Sequence, residues 1–560
     1  MSALPFTEQE VSAWGENKKI FDPRSLKGRP TPEQAALIKD RKKADKQLFD
    51  AIRARAKAAL EALAEPVTEA DKATAKGLKA IVDKVDKGMG KELDKALVSH
   101  VEAQRVAFLQ PPMGTRDWFP ADMRFRNYLF GTFKEVALSH GFEQFDAPVL
   151  EHQRLFKRKA GEEIVEQMYA FTDKDGAEVT LRPEMTPSLA RMVLRRQNAV
   201  TGDIQEVLPL KWFCIAQCWR HETTQRGRKR EHYQWNMDIV GHEGITAELE
   251  LLSAITSFFA KLGITPADVG IKINSRRVLN SICASYGVPQ EKFAPVCVIL
   301  DKLDKIGPEA VKEQLIAAPL EIPGPSVDKM LQALAAPSVE AILEQLGSDA
   351  TDEMRAACAE MAELFDYAEA YGFRKYLQFD AAVVRGLAYY TGIVFECFDK
   401  KFGLRAICGG GRYDGLMQLY GSPVKVPCVG FGFGDCVIKE LLMEMDKMPP
   451  TTPSVDFVVA AFDKSMYGAS LNVAQKLRAV GHSVNLLLTV KQAKKAFDYA
   501  NRIGARRVAF VAPDEYAAGK VRVKDLRSEE KGADGKGVDV AFADFATAFT
   551  DGNGGGGGAP

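Results

Sequence analysis

Several features that would point to a particular class of protein are missing from this 560-residue chain. It has no excess of charge, because 75 basic side chains balance 75 acidic ones, so a nucleic-acid surface would have to come from local clustering. Its nine cysteines are scattered without a CxxC pair, which gives no disulfide framework and favours a reducing compartment. No apolar run approaches the ~20 residues of a membrane-spanning helix.

The usual motifs of nucleotide-binding sites are also missing. A glycine run at Gly409–Gly411 is not followed by GKS or GKT, so it is not a phosphate-binding P-loop, and it does not match a dinucleotide fingerprint. Three glycines most often form a tight turn, but they can also let the backbone approach a ligand. The closest cysteines, Cys214 and Cys218, would share one face of a strand, where packing is a commoner role than metal binding.

The most informative pattern lies between Arg220 and Asp238. A loop crowded with basic residues is followed by a segment in which polar and packing residues alternate. The polar positions are His232, Gln234, Asn236 and Asp238. A period of two is typical of a strand with unlike faces. The pattern therefore predicts either a polar face that holds an anionic ligand beside a basic loop, or an ordinary surface hairpin with a solvated tip.

Composition and periodicity divide the chain into four parts. Residues 1–105 are rich in Ala, Lys, Glu and Asp and predict a helical extension, whose role as an RNA-binding module, a partner-binding module or a spacer stays open. Residues 106–448 mix strands and helices, with a helical insertion at about 285–372. Strand–helix alternation over 449–548 predicts an α/β domain, and the glycine-rich tail 549–560 is expected to be flexible.

Two local patterns add candidate ligand-binding residues. Asp175-Gly176 predicts a hairpin whose second strand leads to Glu184 and Thr186 at a strand-to-helix corner. Thr186 could bind a ligand there or merely cap the helix. Arg385 interrupts an apolar run, and because an unpaired buried charge is costly, it must face either solvent or an anion.

In combination these segments resemble the histidyl-tRNA synthetases, a family of class II aminoacyl-tRNA synthetases. VRGLAYYTGIVFE resembles the family signature VRGLDYY, and CGGGRYDGL resembles the second signature, AGGRYDGL. RHETTQRGRKREHYQWNMDIVG is similar to class II motif 2, and LRPEMTPSLAR and LDKLDKIG are similar to other family segments. GARRVAFVAPDEYAAGKVRVKDL resembles the anticodon-binding domain. The likeness extends over about residues 110–547, and its pieces occur in the order found in the family.

The resemblance implies an α+β catalytic domain over residues 106–448, built on an antiparallel sheet, followed by an anticodon-binding α/β domain over 449–548. It also implies that histidine and ATP form histidyl-adenylate, and that the acyl group then passes to the 3′ end of tRNA(His). The expected partners are ATP with Mg²⁺, L-histidine, tRNA(His) and a second copy of the chain in a homodimer, with no membrane. The expected compartment is the cytoplasm, with an organellar form left open.

The resemblance also assigns roles to residues. Arg220 and Arg385 match two catalytic arginines on either side of the reacting α-phosphate. The expected histidine-binding residues are Glu184, Met185, Thr186, Arg220, Gln234, Asp238, Arg385, Tyr389 and Tyr390. The expected ATP-binding residues are Arg220, Glu222, Arg228 and His232. No metal-ligating side chain is expected.

The sequence departs from the family pattern at three positions. His232 stands where an aromatic residue stacks on adenine, and Ala388 replaces the signature's aspartate. Val437 stands where the third class II motif has an arginine that binds ATP. One hypothesis is that Arg405 or Arg412 holds the distal phosphates together with Mg²⁺. The alternative to an active enzyme is a catalytically inactive relative with a regulatory or tRNA-sensing role.

Overall fold

The computed structural model describes residues 7–20, 30–62, 109–157, 162–383, 389–452, 455–527 and 537–549, with positions 76, 78–80, 82 and 98. The chain separates into two compact units, Met1–Met113 and Gly114–Pro560. Arg385, Ala388, most of the region between residues 63 and 108, and residues 550–560 of the tail lie outside the described residues. Among the described residues, no helix combines the length and the apolar character needed to cross a membrane.

The first unit contains α1 (Glu8–Ile20) and α2 (Pro32–Ala62). Each helix begins with a reciprocal capping box: Thr7 and Glu10 exchange side-chain to backbone hydrogen bonds, as do Thr31 and Gln34. Arg55 on α2 donates to both oxygens of Glu10 on α1 at 2.8 Å, which ties the two helices together. Their small core is formed by Leu48, Ile52, Ala56 and Leu78. The predicted helical character of this extension is confirmed where it is described.

The second unit contains most of the regular structure. Its strands are β1 (Glu143–Gln144), β2 (Leu150–His152), β3 (Tyr169–Thr172), β4 (Glu178–Leu181), β5 (Leu210–Trp219), β6 (Glu231–Val240), β7 (Val269–Ser275), β8 (Leu377–Phe379), β9 (Ile393–Asp399), β10 (Cys408–Arg412), β11 (Cys428–Gly434), β12 (Val455–Ala461), β13 (Val484–Leu486), β14 (Ala505–Val511), β15 (Lys520–Asp525) and β16 (Val538–Ala541).

Its helices, numbered onward from the first unit, are α3 (Pro120–Ser139), α4 (Gln153–Lys157), α5 (Glu162–Gln167), α6 (Thr186–Leu194), α7 (Thr246–Lys261), α8 (Arg276–Ser285), α9 (Phe293–Leu300), α10 (Leu303–Ile316), α11 (Gly324–Leu334), α12 (Val339–Leu346), α13 (Asp352–Tyr371), α14 (Leu416–Leu419), α15 (Asp435–Glu444), α16 (Tyr467–Ala479), α17 (Ala493–Arg502) and α18 (Pro513–Ala517). The helices expected at about 285–372 are therefore present.

A sheet of eight strands organises this unit, in the order β1-β5-β6-β11-β10-β9-β7-β8. The six central strands pair antiparallel, as predicted, whereas the edge strands β1 and β8 pair parallel with their neighbours, which makes the sheet mixed. One face packs against α3 and α7 through stacked aromatic side chains. Phe133 lies 4.7 Å from both Trp235 and Phe258, measured between ring centroids. The side chains of the odd-numbered residues of β6 form this packing, so those of the even-numbered residues point to the opposite face of the sheet.

Two smaller sheets complete the unit. In the first, the hairpin predicted at Asp175-Gly176 joins β3 and β4, and Gly176 supplies the positive φ of 82° that the turn needs. The second sheet has the order β13-β12-β14-β15-β16, with three parallel strands followed by two antiparallel ones. It forms the α/β domain predicted at the C-terminal end.

A buried ion pair joins β10 to α7. Nε and Nη2 of Arg412 donate to the two carboxylate oxygens of Glu248, at 2.7 and 2.6 Å. Nη2 also donates to the carbonyl oxygen of Gly244 at 3.0 Å, and Nη1 donates to that of His242 at 2.9 Å. The side chain of Glu248 is completely buried and that of Arg412 is 8% exposed. Such a pair is costly to break by removing one partner, because the other charge is then left buried and unpaired.

We expect Arg412→Met to destabilise the protein by about 3–5 kcal/mol, because Glu248 would keep an uncompensated buried charge. In chemical denaturation followed by tryptophan fluorescence, the double variant Arg412→Met/Glu248→Met should regain part of that loss. A double variant whose destabilisation equals the sum of the two single losses would contradict this coupling.

Candidate active site

The polar residues of β6 lie between two strands that present mostly small side chains. On β5, Cys218 pairs with His232, Ala216 with Gln234 and Cys214 with Asn236. On β11 the partners are all glycines: Gly434 pairs with Gln234, Gly432 with Asn236 and Gly430 with Asp238. Residues opposite each other in paired strands share a face of the sheet. Small neighbours therefore lie on both sides of Gln234 and Asn236, whereas Asp238 has Gly430 on one side and Trp212 on the other.

Glycine is required at position 430 by the position of Asp238. A Cβ atom added to Gly430 would lie 1.9 Å from Oδ1 of Asp238, which is far inside van der Waals contact. At Gly432 the added atom would make ordinary contacts, 3.5 Å from Nδ2 of Asn236 and 3.7 Å from Oε1 of Gln234. The Asp238 carboxylate thus leans over the backbone of β11, and no larger residue at position 430 leaves room for it.

A buried tyrosine fixes the Asp238 carboxylate. The Tyr413 hydroxyl donates to Oδ1 of Asp238 at 2.6 Å, and burial together with this carboxylate raises the pKa of Tyr413 well above its ordinary value. Tyr389 contacts the edge of the Tyr413 ring at 5.8 Å and the ring of Tyr390 at 4.8 Å. Tyr389 and Tyr390, which belong to the first family signature, are therefore connected to Asp238 through Tyr413, which belongs to the second. Sequence reasoning gave Tyr413 no role, although it lies within the GGGRYDG segment.

The corner that carries Glu184, Met185 and Thr186 adjoins the end of β5. Nε of Arg220 donates to the carbonyl oxygen of Pro183 at 2.9 Å, so this arginine contacts the segment that leads to Glu184. Met185 is buried in one cluster with Cys214, Ala216 and Cys218. Thr186 is the first residue of α6 and Met185 is its N-cap, without a side-chain capping bond. Capping therefore does not account for Thr186.

The cysteines on this face act as packing residues. Burial raises the pKa of Cys218 to about 12, and the pKa of Cys214 is also raised well above its ordinary value by burial. A thiol with a raised pKa stays protonated at neutral pH, and the thiolate is the form that binds metals. Sγ of Cys218 lies 3.7 Å from Oε1 of Gln234, where it helps to orient the amide.

The basic loop between β5 and β6 folds over the start of α15. Nε of Arg228 forms a 2.7 Å ion pair with Oε2 of Glu222 across the loop. Arg226 forms ion pairs with Glu440 and Glu444 of α15. At the tip, a Cβ atom added to Gly227 would lie 3.2 Å from Cγ2 of Val437. The loop is therefore tied to α15, while Gln225, Arg226 and Lys229 remain exposed, so the interpretation as a hairpin with a solvated tip is not overturned.

His232 is neutral over the physiological pH range. Burial is the main cause that lowers its pKa to about 3, and the positive charges of Arg220, Arg116 and Arg228 lower it further. A neutral ring among three guanidiniums can lie against a flat aromatic ligand without adding a fourth positive charge. Its side chain is half-buried and shares the polar face with Gln234.

The hypothesis that Arg412 holds ATP phosphates is wrong, because its guanidinium is committed to Glu248 and two carbonyl oxygens. Arg405 is exposed on the connection between β9 and β10. Val437 packs in the main hydrophobic core. Arg385, the second expected catalytic arginine, lies outside the described residues, so its assignment stays a prediction.

Comparison with known proteins gives one consistent result. A family model described as Histidyl-tRNA synthetase matches residues 114–434, and one described as Anticodon binding domain matches residues 456–551. A histidine–tRNA ligase of Arabidopsis thaliana, named as chloroplastic/mitochondrial, is 48% identical over 435 residues, which are 78% of this chain and 87% of that protein. A histidine–tRNA ligase of Opitutus terrae is 36% identical over 425 residues, 75% of this chain and 94% of the relative.

The crystal structure of histidyl-tRNA synthetase from Nostoc sp. PCC 7120 superposes with a TM-score of 0.64 at 26% identity, covering 78% of this chain and 98% of that one. The large sheet with its polar face on β6 and the C-terminal domain define a class II aminoacyl-tRNA synthetase. Within that class, the chain belongs to the histidyl-tRNA synthetase family.

We expect Gly430→Ala to raise the KM for histidine by at least about tenfold, because the added methyl group displaces the Asp238 carboxylate. Gly434→Ala on the same strand is the matched control, since its Cβ atom would meet nothing within 4 Å. Steady-state adenylation at saturating ATP measures both constants. Equal histidine KM values for the two variants would show that Asp238 does not depend on the glycine.

Replacing His232 should reduce the loss of folding stability at acidic pH. The folded state keeps this ring neutral down to about pH 3, whereas the unfolded chain binds a proton below its ordinary pKa of 6.5. Stability must therefore fall as the pH drops, and His232 contributes about 2 kcal/mol of loss between pH 7 and 5. In the His232→Phe variant, urea unfolding at pH 7 and pH 5 should show a loss of folding stability that is smaller by this amount. An unchanged difference between the two pH values would contradict a buried, neutral His232.

Proposed function

We propose that this protein attaches histidine to tRNA(His) in two steps, through a histidyl-adenylate. The observation that carries the proposal is the polar face of β6 in a chain of this family, with Asp238 held by Tyr413 and with Arg220 beside the Glu184 corner. Glycines on β11 lie opposite Gln234, Asn236 and Asp238, which supports close approach of a small amino acid and a nucleotide to this part of the sheet.

The first step joins two substrates and needs no nucleophile from the protein. The histidine carboxylate attacks the α-phosphate of ATP, and pyrophosphate leaves. Catalysis then consists of holding the two groups in line and stabilising the charge that develops on the phosphoryl oxygens. Arg220 is proposed to do this from one side, which its contact with the Pro183 carbonyl oxygen beside Glu184 supports, and Arg385 is proposed to act from the other side. Guanidiniums suit this role because their fork can bind two oxygens at once.

Histidine recognition is proposed to divide between two groups of residues. Glu184, Thr186 and Asp238 receive the ammonium group, because acceptors and negative charge satisfy its three donors. Gln234, Tyr389 and Tyr390 receive the imidazole, which offers one donor and one acceptor when neutral. The Tyr413–Asp238 hydrogen bond supports this division, since it fixes the carboxylate next to the two signature tyrosines.

ATP is proposed to bind at the β5–β6 loop, with its adenine against His232 and its phosphates near Arg220. Glu222 and Arg228 form an ion pair there and present one charge of each sign. Mg²⁺ enters with ATP as part of the substrate and neutralises phosphate oxygens. Its ligands are proposed to be mainly phosphate oxygens and water, since it prefers oxygen donors and keeps much of its hydration shell.

The second step requires tRNA(His), and the domain matched by the anticodon-binding model supports contact with the anticodon. A homodimer is also proposed. Strand β1 is only two residues long at the edge of the large sheet, and the adjoining Val207 is 90% exposed. A cavity of about 910 Å³ opens there, lined both by apolar residues such as Val207 and Trp212 and by charged residues such as Arg195 and Glu206. An exposed edge with apolar residues is a surface that a second copy could cover.

The compartment of the protein is also a proposal. The sequence favours a reducing compartment, and we predicted the cytoplasm with an organellar form left open. The Arabidopsis relative is named as chloroplastic/mitochondrial, and at 48% identity this favours the organellar form.

Histidine-dependent ATP–pyrophosphate exchange tests the proposed activity. The full chain should catalyse exchange with histidine and Mg²⁺, and Arg385→Ala should lower the rate by more than about tenfold, equivalent to 1.4 kcal/mol in the barrier. Arg277→Gln is the matched control, since Arg277 bonds two carboxylates, Glu353 and Glu360, away from the site. Absence of exchange from the folded wild-type protein would instead favour an inactive, regulatory or tRNA-sensing relative.

A further inference from the structure

Arg116 is a largely buried arginine that the proposed mechanism does not use. Its Nη1 atom donates to Oδ2 of Asp435 at 2.8 Å, and its Nη2 atom donates to the backbone carbonyl oxygen of Glu231 at 3.2 Å. The backbone N–H of Arg116 donates to Oε2 of Glu231 at 3.2 Å, and the guanidinium lies 4.6 Å from the ring centroid of Trp118. The side chain is 14% exposed, and the two carboxylates are 3% and 4% exposed.

These contacts lie where β6 loses its partner strand. Strand β11 ends at Gly434, which pairs with Gln234, and the chain then turns into α15. The positions of β6 before Gln234 therefore have no β11 residue opposite them. Oδ1 of Asp435 accepts the backbone N–H of Tyr233 at 2.9 Å, while Arg116 donates to the carbonyl oxygen of Glu231. Both groups point to the side that β11 has left, as alternate residues of an antiparallel strand do.

The ion pair thus binds the backbone on both sides of His232. In a continuing sheet, the next residues of β11 would supply these two hydrogen bonds. Here one carboxylate and one guanidinium supply them, and they are joined to each other at 2.8 Å. A buried backbone group without a partner is costly, so loss of either side chain loosens this side of β6 at His232, while the pairing with β5 remains.

The same pair anchors the start of α15, where this chain departs from its family. Asp435 is the first residue of α15, and Val437 follows two positions later. Val437 is buried, and the Gly227 tip of the basic loop packs against it. Position 437 carries no charge, and Arg116 supplies a guanidinium that is bonded to the first residue of this helix, Asp435.

We propose that Arg116 and Asp435 are positioning residues for ATP binding, which replace the missing strand beside β6 and hold His232 in the orientation that receives adenine. The proposal rests on the proposed function of His232 as the surface on which adenine lies. The two residues contact β6 and α15 and influence the ligand only through His232. Their replacement should therefore weaken the binding of ATP and leave that of histidine unchanged.

The test compares Arg116→Gln and Asp435→Asn with the wild-type protein in histidine-dependent pyrophosphate exchange. Each variant should raise the KM for ATP by about tenfold, the size of one lost hydrogen-bonded contact, and change the KM for histidine by less than about twofold. The double variant should be no worse than the worse single variant, because both remove the same linkage. Arg116→Lys should recover only part, since an ammonium lacks the fork that spans Asp435 and Glu231.

Two controls separate positioning from general destabilisation. Arg277→Gln removes another guanidinium held by two carboxylates and should leave both KM values unchanged. On a His232→Ala background, Arg116→Gln should have no further effect on the KM for ATP. Parallel increases in both KM values, or a fall only in the fraction of active enzyme, would overturn the proposal. It would also be overturned if Arg116→Gln raised the KM for ATP equally in the His232→Ala variant.

Failure of the proposed function is distinguishable from failure of this inference. If the wild-type protein shows no exchange, calorimetric titration with ATP and Mg²⁺ still measures the affinity of each folded variant. Weaker ATP binding by about tenfold in Arg116→Gln supports the positioning role whether or not the chain is active. Equal ATP affinity in wild type and variant overturns it.

Discussion

The register in which β6 pairs with β5 and β11 is the constraint on which the candidate site depends. It places Asp238 opposite Gly430 and Gln234 opposite Ala216, so that the polar side chains lie beside small neighbours. A slip of one residue would turn Trp235 and Met237 to the ligand face and bury Gln234 against α3 and α7. The aromatic core around Phe133 therefore fixes the site from the opposite side of the sheet.

The charged residues around this face differ in how deeply they are buried. Arg412 and Glu248 neutralise each other inside the core and hold β10 on α7. Arg116 and Asp435 are slightly more accessible and replace hydrogen bonds where the sheet ends. Arg220 lies at the end of β5, where its charge adds to the effect of burial in lowering the pKa of His232. The buried guanidiniums thus stabilise the scaffold, and the more accessible Arg220 is the one that we propose binds a ligand.

Local patterns predicted the strands, the hairpin at Gly176 and the polar parity of β6, because period-two alternation and turn chemistry act over a few residues. They failed where partners are distant in sequence. Arg412 was one of two arginines in the hypothesis for the distal phosphates of ATP, because its partner Glu248 lies 164 positions earlier and could not be recognised from the sequence. Arg116 was overlooked because only the fold brings Asp435, 319 positions away, to its side. The parallel pairing of β1 also depends on a strand that lies far along the chain.

The central claim is that the Gln234–Asp238 face receives histidine and that the neighbouring His232 receives ATP. A crystal structure of the chain with histidine and a non-hydrolysable ATP analogue tests it most directly. The account predicts the imidazole between Gln234 and the signature tyrosines, the ammonium group at Asp238 and adenine against His232. Histidine and the nucleotide bound together elsewhere, with the glycine-lined face empty, would contradict it.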